Sequence, residues 1–443
     1  MAVTSSTASA RRPLGVLSLV VVATVAGALT GVVAGTFGLL VEDGGDLRGR
    51  LIEWARGIGV LGFVVVALAT AAATIVAAAL VHGIEPHAEG SGIPRVEAIV
   101  EGRAEPGRFR ILPVKYAGGW LAISGGLALG REGPSVQMGG VIATVCARLG
   151  RLGRDDFRMV IAGGAAAGLA TAFNAPIAGG VFVLEELFRR FDPRATLATL
   201  AASGAGFAAT HLVTDDDTVF SMPALPAPDL SQAPLMLAVG LICGLLGVAY
   251  NKAVMAGLHV VDVSRAPLPI KAGLIGLAVA VLAWVRPHWV GSGDNLTQQA
   301  LTGHGVLHTV VVLLVIRFVL GVISYAANTP GGLFAPMLVL GTQAGLLVAL
   351  VGGELTPISA ATAAGAALVG MASFFAATVQ APVTGLVLAT EMTGSTAWLP
   401  PMLGAVAIAM LVARVLRAEP IYDALTARSA RNVQFNREER LAA

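Results

Sequence analysis

The chain has 443 residues, 56% of them hydrophobic and only 13% charged, with a mean hydropathy of +0.79 and a formal net charge of +2. Soluble domains carry about 25% charged residues; a globule has no interior large enough for this much apolar surface, whereas lipid accommodates it. The near-neutral balance gives no footing for a nucleic-acid partner. Cys146 and Cys243, far apart in apolar surroundings, do not make a disulfide framework.

In chain order, candidate spanning segments lie at 14–40, 60–81, 235–256, 274–285, 306–326, 337–351, 360–377 and 402–416. Several reach the ~20 residues that one helix needs to cross a bilayer, so the expected fold is an all-α polytopic membrane protein. Arg11 and Arg12 precede the first run, while Arg428, Arg431, Arg437 and Arg440 follow the last. By the positive-inside rule both termini are cytoplasmic. The first run contains a cleavage-like Ala26-Gly27-Ala28 but stays apolar well beyond it, so it reads as a retained helix rather than a signal peptide. The expected organisation is a cytoplasmic segment 1–12, a first transmembrane repeat 13–213, an exposed linker 214–234, a second repeat with a final short helix 235–428, and a cytoplasmic tail 429–443. Only three lysines occur (Lys115, Lys252, Lys271) against many arginines, a bias suggestive of a bacterium with G+C-rich coding.

Fifty-five glycines and twenty-two prolines run through the apolar sequence rather than being confined to loops. Such breakers are tolerated in lipid only where the freed backbone is buried or lines a cavity. The short runs opening at Pro94, Pro134, Pro176, Pro336 and Pro382 therefore read as discontinuous helices. The chain also matches itself. GREGPSVQMG (130–139) aligns with GLFAPMLVLG (332–341), and APIAGGVFVLEE (175–186) with APVTGLVLATEM (381–392), at offsets of 202 and 206 residues. Two ordered pairs at nearly one offset indicate an internal duplication, and corresponding broken segments in two halves point to a transporter's binding site near the membrane midplane. Whether the halves are inverted does not follow from the pattern.

Three glycine-proline clusters open short helices: GSGIP at 90–94, GREGP at 130–134 and GGLFAP at 331–336. Proline in the first turn gives up an N–H that would be unpaired anyway, and glycine lets backbone approach a ligand closely. A helix start exposes unpaired N–H groups and roughly +0.5 of an elementary charge. Several such ends converging make an anion site with no formal cation, one that attracts a small anion yet lets it leave. Taken singly, each cluster is also an ordinary helix start. Glu132, within GREGP, is out of place in hydrocarbon, since Arg131 is the only other charge between Lys115 and Arg148. An intramembrane carboxylate is a functional hypothesis by default.

In this order, GSGIP, GREGP, GGLFAP, FNAPIAG…LEE and the late PIYDA (420–424) resemble the signature stretches of the CLC family of chloride channels and chloride/proton exchangers, over nearly the whole chain. The resemblance implies two inverted repeats with many tilted and broken helices, and a homodimer in a bacterial inner (plasma) membrane, each subunit enclosing its own anion pathway. It implies an anion site made by the hydroxyls of Ser91 and Tyr422 and the backbone N–H groups of Leu333 and Phe334, with serine at 91 favouring chloride over nitrate. Glu132, supported by Gly130, Arg131 and Gly133, would compete with the anion for the helix-mouth N–H groups, as gate and external proton carrier. Arg131 would raise anion concentration in the vestibule or form a structural salt bridge. Glu186 would take protons from the cytoplasm, with Glu185 lining water access. Having both Glu132 and Glu186 points to exchange of chloride for protons; the alternative is a passive chloride-selective channel, and a fluoride exporter fits Ser91 and Tyr422 poorly. Plainer readings of the residues stand beside these: Ser91 as an N-cap, Tyr422 as an interfacial phenol, Glu132 as an ion pair with Arg131, and Glu186 as a helix-end carboxylate near Arg189 and Arg190. The sequence gives no role to Glu391, the repeat counterpart of Glu185.

Little points to an enzyme. His304 and His308 share a helix-face spacing, but HGVLH lacks the glutamate of HExxH, and no GxxxxGK[ST] loop occurs. The expected partners are chloride, protons and the lipid bilayer, with no metal, cofactor or nucleic acid.

Overall fold

The computed structural model describes residues 15–214, 219–223 and 225–442, with side chains to residue 431. The segment 1–12 with Arg11 and Arg12, Asp215 to Asp217 of the linker, and the side chains of Arg437 and Arg440 lie outside that description.

Among the described residues there are seventeen α-helices and no strand longer than an isolated bridge. The first eight are α1 (Val16–Arg56), α2 (Gly59–Ile84), α3 (Ile93–Val100), α4 (Ile111–Ser124), α5 (Glu132–Leu149), α6 (Arg154–Phe173), α7 (Pro176–Phe182) and α8 (Pro193–Thr210). The second eight are α9 (Ala233–Val263), α10 (Leu268–Val285), α11 (Asp294–Ala300), α12 (Leu307–Tyr325), α13 (Phe334–Gly353), α14 (Ala360–Val379), α15 (Pro382–Thr393) and α16 (Leu399–Val415), and α17 (Ile421–Ala442) closes the chain. By length and composition seven can cross a membrane: α1, α2, α9, α10, α12, α13 and α14. Helices α13 and α14 are buried over most of their length, whereas α1 and α10 turn Leu17, Val21, Ile270 and Leu274 outward. Apolar side chains that have no protein to pack on are what a lipid-facing surface requires.

The duplication is legible element by element, α1 to α8 corresponding in order to α9 to α16. Helices α3 and α11 each follow a Gly-Ser-Gly corner whose last residue, Gly92 (φ 81°) or Gly293 (φ 94°), takes a left-handed conformation that suits glycine. Helices α7 and α15 each open on Ala-Pro. One close helix crossing is built twice. A methyl on Gly139 of α5 would stand 2.1 Å from the Gly164 carbonyl oxygen of α6, and one on Gly341 of α13 would stand 2.6 Å from that of Gly370 on α14. Small residues let the two backbones meet.

Gly130 and Gly332 occupy equivalent places and exchange two N–H···O=C bonds, both 2.8 Å. Equivalent residues paired antiparallel lie about a two-fold axis, so α5 and α13 start side by side and run apart. The repeats are inverted.

Two boundaries and the exposure of the linker differ from expectation. Helix α9 begins at Ala233, because Pro234 in its first turn costs no hydrogen bond. The linker is not wholly exposed: Phe220 is buried and its N–H donates to the Met392 carbonyl. The final helix is not short. It continues through the expected tail to Ala442, since 421–442 holds no glycine or proline and is rich in alanine, arginine and glutamate.

Candidate functional site

The three glycine-proline corners meet. Gly331 donates its N–H to the Gly90 carbonyl (3.0 Å), Gly90 donates to that of Thr329 (3.1 Å), and Gly130 pairs with Gly332. A methyl on Gly133 would stand 2.6 Å from Ser91 Cβ, so the GSGIP corner lies directly on the start of α5. Each Gly-Ser-Gly corner is gripped by a buried cation. Lys115 Nζ donates to the carbonyls of Ala88 (3.0 Å), Glu89 (3.4 Å) and Gly90 (2.6 Å). Arg317 donates from Nη1 to Trp289 (3.2 Å) and Gly291 (2.8 Å) and from Nη2 to Ser292 (2.7 Å). Sequence reasoning missed both clamps. The available signal was the repeat itself, because Lys115 and Arg317 stand 202 positions apart.

Ser91 is buried at this junction; its Oγ accepts from the Ile93 N–H at 3.3 Å, so the hydroxyl does cap the turn while lying against α5. Leu333 and Phe334, at the start of α13, are buried as well. The Phe334 ring stacks on Tyr422 with centroids 6.0 Å apart and 28° between planes, and Phe182 meets Tyr422 edge-on at 6.5 Å. Tyr422, in the first turn of α17, is fully buried rather than interfacial, and its hydroxyl has no hydrogen-bond partner among the described residues.

Glu132 is the first residue of α5 and 3% exposed, with Oε2 buried and without a hydrogen-bond partner among the described residues. That oxygen lies 1.9 Å from where a Gly130 methyl would be, and Ala335 Cβ lies 3.0 Å from the same point, so the carboxyl fills a cleft against α13 that only glycine at 130 leaves open. It makes no ion pair with Arg131, whose Nη1 reaches instead to within 2.8 Å of where a methyl on Gly38 of α1 would be. A buried carboxylate oxygen without a donor is costly, and such costs concentrate at functional positions.

Residues 72–414 match the family described as voltage gated chloride channel. The chain belongs to that CLC family. It is a family of membrane transport proteins, as the motifs imply, and not of enzymes. An H(+)/Cl(−) exchange transporter ClcA of Vibrio parahaemolyticus is 33% identical over 437 residues, covering 95% of this chain and 92% of that one. A ClcA exchange transporter of Vibrio cholerae is 34% identical over 372 residues, 81% and 78% of the two chains. Among solved structures, a slow cyanobacterial Cl−/H+ antiporter matches with a TM-score of 0.87 at 30% identity over 93% of this chain and 98% of that one. A CLC-type fluoride/proton antiporter shares the fold, with a TM-score of 0.77 at 22% identity over 92% and 97%.

In this CLC chain Glu186 lies in a π-turn (Val183–Leu187) that continues α7. It is 5% exposed, more enclosed than its place beside two arginines suggests, and its Oε1 is buried without a hydrogen-bond partner among the described residues. The surface ion pair of the plainer reading is not formed with Arg189 or Arg190 among the described residues. Arg189 sends its guanidinium to Asp423 and to buried Glu97 (3.2 Å), and only its Nε reaches Glu186, at the backbone carbonyl (3.3 Å). Glu97 also accepts from Thr426 Oγ1 at 3.3 Å, which fastens α3 to α17. The Glu185 carboxylate is spent on the start of α15, accepting from the Val383 and Thr384 N–H groups.

Proposed function

We propose that this protein exchanges chloride for protons across a membrane. The observation that carries the proposal is the Tyr422 hydroxyl, fully buried against Phe334 at the start of α13 and without a hydrogen-bond partner among the described residues. Ser91, Tyr422 and the N–H groups of Leu333 and Phe334 hold the anion by partial charges. Ionised Glu132 competes for the same first-turn donors and blocks the path; protonated, it loses that attraction and gives way. Glu186 carries protons between the inner side and Glu132. The names of the ClcA relatives and of the cyanobacterial antiporter support this reading. A homodimer in a bacterial inner membrane, with lipid around it and both termini cytoplasmic, belongs to the same proposal and is supported by the family resemblance and the arginines at both ends of the chain.

The test is simultaneous measurement of chloride and proton flux in reconstituted vesicles. A chloride gradient is expected to drive protons uphill. Chloride movement without proton movement would make the protein a channel, and faster transport of fluoride than of chloride would make it a fluoride exporter.

A further inference from the structure

Glu391 is a carboxylate within the apolar helix α15 that the exchange proposal does not use. Its Oε1 accepts from the Ile177 N–H at 3.0 Å and its Oε2 from the Ala178 N–H at 2.6 Å, both in the first turn of α7. Glu185, its repeat counterpart, returns the arrangement: Oε1 accepts from the Val383 N–H (3.0 Å), and Oε2 from the Thr384 N–H (2.7 Å) and Thr384 hydroxyl (2.7 Å), in the first turn of α15. Both helices have alanine at the N-cap position, Ala175 and Ala381, and neither is capped by its own side chain. Each therefore borrows its cap from the other half. A carboxylate suits the task, because it accepts two first-turn N–H groups and faces the positive end of the helix.

These two ties fix α7 at both ends, and both fasteners lead to α15. The second tie, at Glu185, lies within the π-turn that also carries Glu186, a wider turn of a kind that recurs at functional sites. Glu186 directly follows Glu185. Successive side chains in a helical turn point in different directions, so with Glu185 tied to α15 the next side chain, Glu186, points elsewhere, and it is buried. The same holds in the second half, where Met392 follows Glu391 and is buried too.

We propose that Glu391 and Glu185 form a reciprocal clasp between the repeats, and that Glu391 is a positioning residue for Glu186, acting through α7 without touching the anion corners. The proposal rests on the exchange reading of Glu186. Its test is the ratio of proton to chloride flux in vesicles, which does not depend on how much protein has folded. Glu391→Ala is expected to lower that ratio about tenfold, within the roughly 100-fold that a misplacement of about 1 Å can cost at a reacting group. Glu391→Gln keeps the side-chain length and one acceptor oxygen, so it is expected to fall between Glu391→Ala and the unaltered protein, and it carries the test should Glu391→Ala fail to assemble. An unchanged ratio in the assembled variants overturns the clasp as a positioning device. Glu186→Gln, measured alongside, separates the two failures. If it stops protons while the Glu391 variants keep the normal ratio, only the clasp falls; if it keeps the normal ratio itself, the reading of Glu186 falls and takes the clasp with it.

Discussion

Tyr422→Phe removes one oxygen from the site and leaves the ring. The ring is fully buried and held by Phe334 and Phe182, so its packing survives the change. The hydroxyl meets no donor or acceptor among the described residues, and a buried polar group in that condition costs about 1–3 kcal/mol. In chloride-free buffer the variant is therefore expected to be as stable as the unaltered protein or more so. With the anion bound the balance reverses. An O–H donor to a charged acceptor contributes about 1.5–3 kcal/mol, so its loss weakens chloride binding about 10- to 150-fold at 1.4 kcal/mol per tenfold. Titration calorimetry with chloride reads the affinity, and thermal unfolding with and without chloride reads the stability. Stabilisation by chloride should shrink in the variant, as mass action requires. An unaltered chloride affinity would remove the phenol from the anion site. A loss of stability without chloride would mean that the protein itself engages the hydroxyl.

Glu132→Gln is expected to keep chloride flux while losing both proton coupling and the rise in transport as pH falls, because an amide cannot titrate; flux assays across pH check this, and retained coupling would exclude Glu132. Glu186→Gln is expected to spare chloride flux and stop proton flux in the same assay. Gly164→Ala places a methyl 2.4 Å from the Gly139 carbonyl oxygen and 2.5 Å from Ala143 Cβ, and overpacking of this kind typically costs about 1–3 kcal/mol. A lower melting temperature should follow, whereas Gly204→Ala, with nothing within 4 Å, should lower it not at all.

Local signals carried much of the fold. Ala-Pro and Gly-Pro mark the starts of α5, α7, α13 and α15 because proline in a first turn is a property of a few adjacent residues. Convergence of the corners was arguable from the need of a broken helix in lipid for something to bind. The cation clamps were not legible in the same way. Lys115 reads as a lone lysine in an apolar run, and its partners lie 25 to 27 residues back, across a fold that sequence spacing does not describe. Glu391 was named without a role for a similar reason, since its partners are 213 and 214 residues away. Adjacent Glu185 and Glu186 are told apart in the sequence by the family resemblance alone; in the fold the tie to Thr384 engages Glu185, and Glu186 is the buried one of the two.

The paired glycines 130 and 332 set unlike residues opposite each other: two positions further on, one half begins its helix with Glu132 and the other with Phe334. Duplicated backbone offers its amides even-handedly to both approaches, so the frame itself has no front or back. A single ionisable group answered by a phenyl ring supplies the asymmetry, and in such a molecule vectorial behaviour is written in a handful of side chains and could be rewritten there without disturbing a helix.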